Sequence, residues 1–362
     1  MTAPPHALDQ LQTPALLIDL DAVRHNIAQM RSHVGGDLDR WRPHVKTAKV
    51  PAVLDLLLAA GVRRFKCATT REASVLLQRA TPPVDLLVAM PLQGANLARV
   101  VELAAAHPRH SLAILSEDPA HAEAVRGAAP RLGIFVDLDP GFRRTGIPLE
   151  DRARIAAVAR AAGGALRGLH LYEGHVRDAD PTARARRCVP LYAELTALAA
   201  ELAMPGIEVL TSGTPSFPSA LAWPGFRGHA HRISPGTVVY WDTTSEEFGI
   251  TGFRFAVHVL ARVISRPDPT RATCDAGSKA LDAAAGDPVA TVADWPGLVA
   301  LHPSEEHLPL RVDSGPVPAL GTLLRLVPRH VCPTVNLADH AVLLEQGRIA
   351  TIVPVAARGH EV

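Results

Sequence analysis

From about residue 20 to residue 236 the chain repeats one unit: a short apolar or β-branched run, then a longer Ala/Leu/Arg-rich stretch with helical spacing. Eight such runs stand out: WRPHVK (41–46), RFKCAT (64–69), DLLVAM (85–90), LAILSE (112–117), LGIFVDLD (132–139), LRGLHLYEG (166–174), EVLTSG (208–213) and HRISPG (231–236). The stretches between them predict helices over 49–60, 70–80, 94–107, 118–128, 150–162 and 182–203. Short parallel strands with a helix after each close most economically into a (β/α)8 TIM-like barrel, because right-handed crossovers put every helix outside. A doubly wound open sheet is the rival arrangement.

Past residue 236 the texture changes. VVYWDTTS, FRFAVHVLARVISR, ATCDAGSKAL, LLRLVPRHVCPTV and AVLLEQGRIATIVPVAARG are rich in turns and poor in helical period. The expectation is an α/β chain with a barrel over 20–236 and a C-terminal β domain over 237–362. Residues 1–19 join that β domain, because ALLIDLD (15–21) reads as an extra strand ahead of the first barrel helix. With 362 residues, 48% of them hydrophobic, the chain is long and apolar enough to fill both cores.

Charge narrows the function. Lys and Arg number 37 against 36 Asp and Glu, and no basic run interleaved with aromatics tracks a phosphate backbone, so nucleic acid is not an expected partner. The opening MTAPPHALDQLQTPALLIDLD has no basic segment followed by an apolar one. No stretch reaches the roughly 20 apolar residues that span a bilayer. The expectation is a soluble, cytoplasmic protein without a membrane partner. Cys67, Cys188, Cys274 and Cys332 are too widely spaced for a zinc knuckle, and they read as buried thiols rather than a disulfide scaffold.

A barrel carries its chemistry where strands end and loops begin. By this reading Lys46 ends the first strand, Arg143 and Arg144 follow the fifth, and His170, Tyr172 and His175 ride the end of the sixth. Ser212, Gly213 and Thr214 end the seventh, and Gly236 and Thr237 the eighth. A lysine at such a strand end is expected to be partly desolvated, which frees its amine to condense with a carbonyl. Small residues let backbone N–H groups approach a phosphate, although Thr211-Ser212-Gly213-Thr214 equally suits a helix cap.

Arg42-Pro43-His44-Val45-Lys46-Thr47 resembles the segment that carries the Schiff-base lysine in the family of D-threonine aldolases and eukaryotic-type D-serine dehydratases. Further blocks resemble that family in order: TPALLIDLDAVRHNI (13–27), FKCATTREA (65–73), VDLDPGFRRTGI (136–147), GLHLYEGH (168–175), TSGTPS (211–216), SPGTVVYWD (234–242), CDAGSKA (274–280) and HVCPTVNL (330–337). The resemblance implies a fold-type III pyridoxal phosphate (PLP) lyase with an alanine racemase-like barrel, acting as a homodimer on a small D-amino acid. Carried over by position, Lys46 would hold PLP and Arg144, with Arg143 beside it, would meet the pyridine nitrogen. His170 and Tyr172 would flank the ring. Ser212, Gly213, Thr214, Gly236 and Thr237 would receive the phosphate, and Tyr240 would add a contact. His330-Val331-Cys332 resembles the family's metal pair, for zinc, manganese or magnesium. An imidazole nitrogen and a thiolate are suitable zinc ligands, and two protein ligands leave room for water and substrate.

Two reactions on a D-3-hydroxy amino acid remain open. The family resemblance places His-x-Cys with dehydratases of D-serine or 3-hydroxyaspartate and His-x-Asp more often with aldolases, which favours dehydration here. KCATTREA and a His175 base favour retro-aldol cleavage instead. Ala48 replaces a frequent histidine, Thr211-Ser212-Gly213 varies SGG, and Val238 replaces a frequent tyrosine, which touches substrate identity more than PLP binding. A PLP racemase, a non-catalytic PLP carrier and a metal hydrolase are the competing classes.

Overall fold

The computed structural model describes residues 7–203 and 206–361 and divides into two compact units. One comprises the described residues up to Gln29, Thr47–Val53 and Thr237–Gly359; the other comprises Met30–Lys46, Leu54–Gly236 and the described residues beyond Gly359. Among the described residues no helix is long and apolar enough to cross a membrane.

The second unit is the barrel. Strands Arg64–Cys67, Asp85–Val88, Ser111–Ser116, Gly133–Asp139, Leu166–Leu171, Glu208–Thr211 and Ala230–Ile233 pair in parallel in that order. Their residues are buried almost throughout, as expected of parallel strands covered on both faces. Helices Thr70–Arg79, Gly94–Ala106, Pro119–Ala128, Arg152–Ala162, Pro181–Glu201 and Phe217–Ala222 form the crossovers. Thr69, Asp118, Asp151 and Asp180 cap four of them by accepting backbone N–H bonds, which explains why those starts were legible. Inside, Leu87, Ala113, Leu115, Phe135 and Leu210 form one buried cluster.

The eighth position differs from the expected strand over 41–46. Residues 41–44 form only isolated parallel bridges, Trp41 with Ile233 and His44 with Lys66, which close the ring between its last and first strands. Pro43 has no N–H to give, so a regular ladder cannot run through it. Its carbonyl accepts from Lys66 N (2.9 Å), and Arg42 N donates to Ile233 O (2.9 Å). The chain turns immediately into the short helix Val45–Ala48, so Lys46 stands on a helical turn beyond the bridge, and not at the end of a strand.

The other unit is built on a nine-stranded sheet. Strand Val257–Asp268 pairs antiparallel with both Arg271–Cys274 and Leu323–Pro328, and Leu308–Val312, Leu298–Ala300 and Ala290–Val292 complete a closed antiparallel barrel. Ala15–Asp19 extends this sheet, antiparallel to Val257–Asp268 and parallel to His340–Glu345. Thr47–Val53 clusters with this unit because Ala48 O accepts the Tyr240 hydroxyl (2.7 Å) and Lys49 Nζ donates to Ala357 O (3.0 Å).

Candidate active site

In parallel strands, residues in register point to the same side, and the registers Asp137↔His170 and Lys66↔Leu87 set polar side chains on the face that carries Leu87 and Leu210. His170 Nδ1 lies 2.7 Å from Asp137 Oδ1, and Asp137 Oδ2 accepts from Thr145 Oγ1 (2.8 Å). Burial pushes the His170 pKa down, outweighing the Asp137 contact that raises it, so a neutral ring donates Nδ1–H to the carboxylate.

The loop after Gly133–Asp139 is organised by Asp139, whose Oδ1 accepts from Gly141 N (2.9 Å) and Arg143 N (3.0 Å). Arg143 takes a left-handed backbone, φ 56°, and Arg144 stacks its guanidinium 5.0 Å from the ring centres of both Phe142 and Tyr172. Of the two arginines, Arg144 is the one against the tyrosine. Tyr172 itself is pressed between two glycines: a Cβ at Gly174 would come within 2.3 Å of its ring and one at Gly213 within 2.9 Å. Ser212, before that glycine, is held at φ 69° with its N–H on Glu173 Oε2 (3.2 Å), and Tyr192 OH donates to Glu173 Oε1 (2.6 Å). Thr214 is buried in the same turn. The loop carrying Gly236 follows the neighbouring strand and is tied down by Trp41 Nε1 on Pro235 O (2.9 Å) and Ser234 Oγ on Arg42 O (2.8 Å). His175 stacks on Phe142 at 5.6 Å, and its buried Nδ1 has no hydrogen-bond partner among the described residues.

Lys46 is exposed, contrary to the desolvation expected of a strand-end lysine, because the helical turn lifts it off the barrel rim. It remains coupled to the rim through Lys66, which is 4% exposed. Burial first, then the charges of Lys46 and Arg144, push the Lys66 pKa down to about 7, although Glu173 and Asp137 act the other way. Its Nζ lies 5.7 Å from the Tyr172 ring centre. Sequence reasoning missed Lys66, Asp137 and Glu173; a lysine and two carboxylates inside otherwise apolar strand runs were the available signal.

The metal pair is local to the other unit. Cys332 Sγ lies 3.0 Å from Thr47 Oγ1 and 3.6 Å from Thr237 Oγ1. His330 Nδ1 is 3.5 Å from Asp282 Oδ2. Burial alone would lower the His330 pKa, but Cys332, Asp242 and Asp282 outweigh it and raise it. Val331, between the pair, is buried with its N–H on Asp242 Oδ2 (3.0 Å), which fixes the short helix that carries Cys332. Among the described residues no three His, Cys, Asp or Glu side chains cluster as a complete metal site. Tyr240 is fully buried and its hydroxyl donates to Ala48 O (2.7 Å). All four cysteines are buried and none forms a disulfide, and burial pushes Cys188 and Cys274 up to about 12, so both are inert thiols.

A cavity of about 490 Å³, lined by Asp37, Arg40, Trp223, Phe226, His229 and Arg232 among others, holds none of these groups. It opens around residues that precede and begin Ala230–Ile233, at the N-terminal end of the barrel.

A parallel barrel with polar groups at its C-terminal rim, followed by an antiparallel β unit, defines the alanine racemase-like class of enzymes. The family profile described as alanine racemase, N-terminal domain, matches residues 18–243, and that described as putative serine dehydratase domain matches 256–344. The D-threonine aldolase of Arthrobacter sp. is 30% identical over 98% of this chain and 95% of its own length. The crystal structure of D-threonine aldolase from Filomicrobium marinum superposes with a TM-score of 0.87 at 28% identity, covering 98% of this chain and 99% of that one. D-threo-3-hydroxyaspartate dehydratase from Delftia sp. HT23 superposes at 0.82 with 26% identity, covering 99% and 100%. Solved variants of that dehydratase include a histidine-to-alanine form and, two positions on, a cysteine-to-alanine form that is metal-free. The chain belongs to this family of PLP-dependent lyases.

The rim suits PLP on its own chemistry. Lys66 and Arg144 set positive charge against Tyr172, the charge of Lys46 acts on Lys66, and both nearby carboxylates are taken, Asp137 by His170 and Thr145, Glu173 by Tyr192 and Ser212. An anionic aromatic cofactor answers that imbalance. An imidazole and a thiol two residues apart suit a divalent metal that keeps open positions.

Proposed function

We propose that this chain is a PLP- and divalent-metal-dependent lyase that dehydrates a D-3-hydroxy amino acid of the D-serine or 3-hydroxyaspartate type to a keto acid and ammonia. The observation that carries the choice of dehydration is the His330/Cys332 pair, whose sulfur ligand and spacing match the histidine and cysteine varied in the solved dehydratase.

PLP, when bound, draws electrons from the substrate Cα, and a divalent metal held by His330 and Cys332 makes the 3-hydroxyl a better leaving group. Lys46 would hold the cofactor through Nζ and, when that amine is free, would take the substrate Cα proton onto it. Loss of water then gives an enamine that hydrolyses to the keto acid and ammonia. Arg144 would meet the pyridine nitrogen. The neutral His170, oriented by Asp137, flanks the ring with Tyr172. The turn Ser212-Gly213-Thr214 and Gly236 with Thr237 would receive the phosphate, the backbone N–H of Ser212 itself being held by Glu173. The same reading expects a homodimer, checked by light scattering.

A second reading, retro-aldol cleavage, is favoured by one observation: the buried Nδ1 of His175 lacks a hydrogen-bond partner among the described residues and is free to take the proton of a substrate hydroxyl. Product analysis with D-serine, D-threonine and D-threo-3-hydroxyaspartate decides between them. Dehydration yields ammonia and a keto acid; glycine and an aldehyde from the same incubations reject it. EDTA is expected to abolish turnover while leaving the PLP absorption band in place, and full activity after exhaustive chelation would remove His330 and Cys332 from the mechanism.

A further inference from the structure

Lys66 adds to the positive charge of the rim, but no step or contact described above assigns it a ligand. It lies in the middle of strand Arg64–Cys67, in register with Leu87 and bridged to His44, two residues before Lys46. Its ammonium has no hydrogen-bond acceptor and no ion-pair partner among the described residues, and sits 5.7 Å from the centre of the Tyr172 ring, on which Arg144 also stacks. The charged and titratable groups around it are Lys46 on the helical turn, Arg144 on the loop after Gly133–Asp139, Asp137 on that strand, His170 on the next, and Glu173 just beyond. The two carboxylates are already occupied by His170, Thr145, Tyr192 and Ser212. A buried amine with a fixed place and no counter-ion is costly unless something else supplies the anion.

We propose that Lys66 is an anion-binding residue of the active site, whose ammonium takes an anionic oxygen of the bound cofactor or the carboxylate of the substrate. The inference rests on the PLP reading above and adds a residue to it. The free amine, with a pKa brought down to about 7, is roughly half protonated at neutral pH. Anion binding stabilises the protonated form, so an anion held by Lys66 binds less tightly as pH rises through and beyond that value.

The test is a titration of the cofactor-depleted full chain with PLP, followed by steady-state kinetics of the reloaded enzyme, for wild type, Lys66→Met and Lys66→Arg. If the anion is the cofactor's, Lys66→Met raises the Kd for PLP tenfold or more. If it is the substrate's, the Kd for PLP stays put and KM rises tenfold or more. Lys66→Arg, always charged, restores binding and removes part of the pH dependence between pH 6 and 8.5. Imine formation at Lys46 is common to both chains, so the ratio of wild-type to Lys66→Arg affinity isolates Lys66. Should Lys66→Met not fold, the ratios of wild type to Lys66→Arg still decide, since values constant with pH for both the Kd for PLP and the KM overturn the proposal. Kd and KM both within twofold of wild type in Lys66→Met also overturn it while leaving the PLP reading intact. A wild-type chain that takes up no PLP overturns the cofactor reading itself.

Discussion

At the N-terminal end of the barrel Arg42 is wholly buried and completely paired: Nε and Nη2 each lie 3.0 Å from Glu208, and Nη1 lies 3.1 Å from Asp85 Oδ1. Arg64, Arg167 and Arg232 close the network around the same two carboxylates. At the C-terminal rim Lys66 is nearly as buried and has no carboxylate of its own. Burial works against the charge at both ends, but the outcomes are opposite. Glu208 and Asp85 outweigh it and raise the Arg42 pKa, whereas Lys46 and Arg144 add to it and lower that of Lys66. A buried charge with its carboxylates in place is part of a plug that holds strand starts together; one without them is a surface prepared for a ligand.

If that contrast is right, substitutions at the two ends fail in different ways. Lys46→Ala is expected to lower turnover by about 10³-fold or more, roughly 4 kcal/mol in the barrier, while the urea midpoint of the cofactor-free chain stays where it was. Glu208→Gln should do the reverse. It leaves the Arg42 charge short of its main partner, a loss of about 3–5 kcal/mol in stability, and the fraction that remains folded should still bind PLP. A Glu208→Gln chain as stable as wild type would break the comparison, because the N-terminal network would then contribute nothing that the rim does not.

The pH dependence of stability sharpens it further. Burial alone would raise the Asp85 pKa, but Arg42, Arg167 and Arg64 outweigh it and hold the carboxyl below its usual range. Its contribution is present above the unfolded carboxylate pKa, about 4, and is lost as pH falls through the lower folded value. Lys66 runs the other way. Its unfolded pKa of about 10.5 exceeds the folded value of about 7, so the unfolded chain binds more protons in between. The penalty is full below about pH 7 and is relieved as pH rises through that window. In urea titrations of the cofactor-free chain, the gain between pH 7 and pH 9.5 is expected to be on the order of 1–2 kcal/mol and to vanish in Lys66→Met. An equal gain in both chains would show that the rim charge is already compensated.

The barrel was legible because parallel strands buried on both faces read as unbroken apolar runs and because side-chain caps mark the helix starts. The first strand was misread for a local reason: WRPHVK has the composition of a strand, yet Pro43 permits only bridges, and the turn that follows exposes Lys46. The pairs that make the site, His170 with Asp137 and Glu173 with Tyr192 and Ser212, were not legible. They depend on which strands become neighbours and in what register, and no spacing along the chain encodes that. Lys66 was hidden by its setting, since a lysine beside Phe65 and Cys67 reads as the solvent-facing member of an alternating strand until both strand faces prove to be covered.

The smallest expected effect belongs to Glu173, the rim's counterpart of Glu208. Both are buried carboxylates, but Glu208 is held by guanidinium groups and Glu173 by neutral donors, the Tyr192 hydroxyl and the Ser212 amide. Burial and the neighbouring Glu173 push the Tyr192 pKa well up, so the phenol stays protonated and donates. Tyr192→Phe removes that donor and keeps the ring, which packs on Phe226 at 5.2 Å and Trp223 at 6.0 Å. The loss should be about 1 kcal/mol, the ordinary worth of one hydrogen bond, against 3–5 for Glu208→Gln. Because Glu173 also holds Ser212 at φ 69°, the same change should loosen the turn that presents Gly213 and raise the Kd for PLP a fewfold. A stability loss as large as that of Glu208→Gln, with PLP affinity untouched, would make Glu173 part of a structural plug and erase the distinction between the two ends.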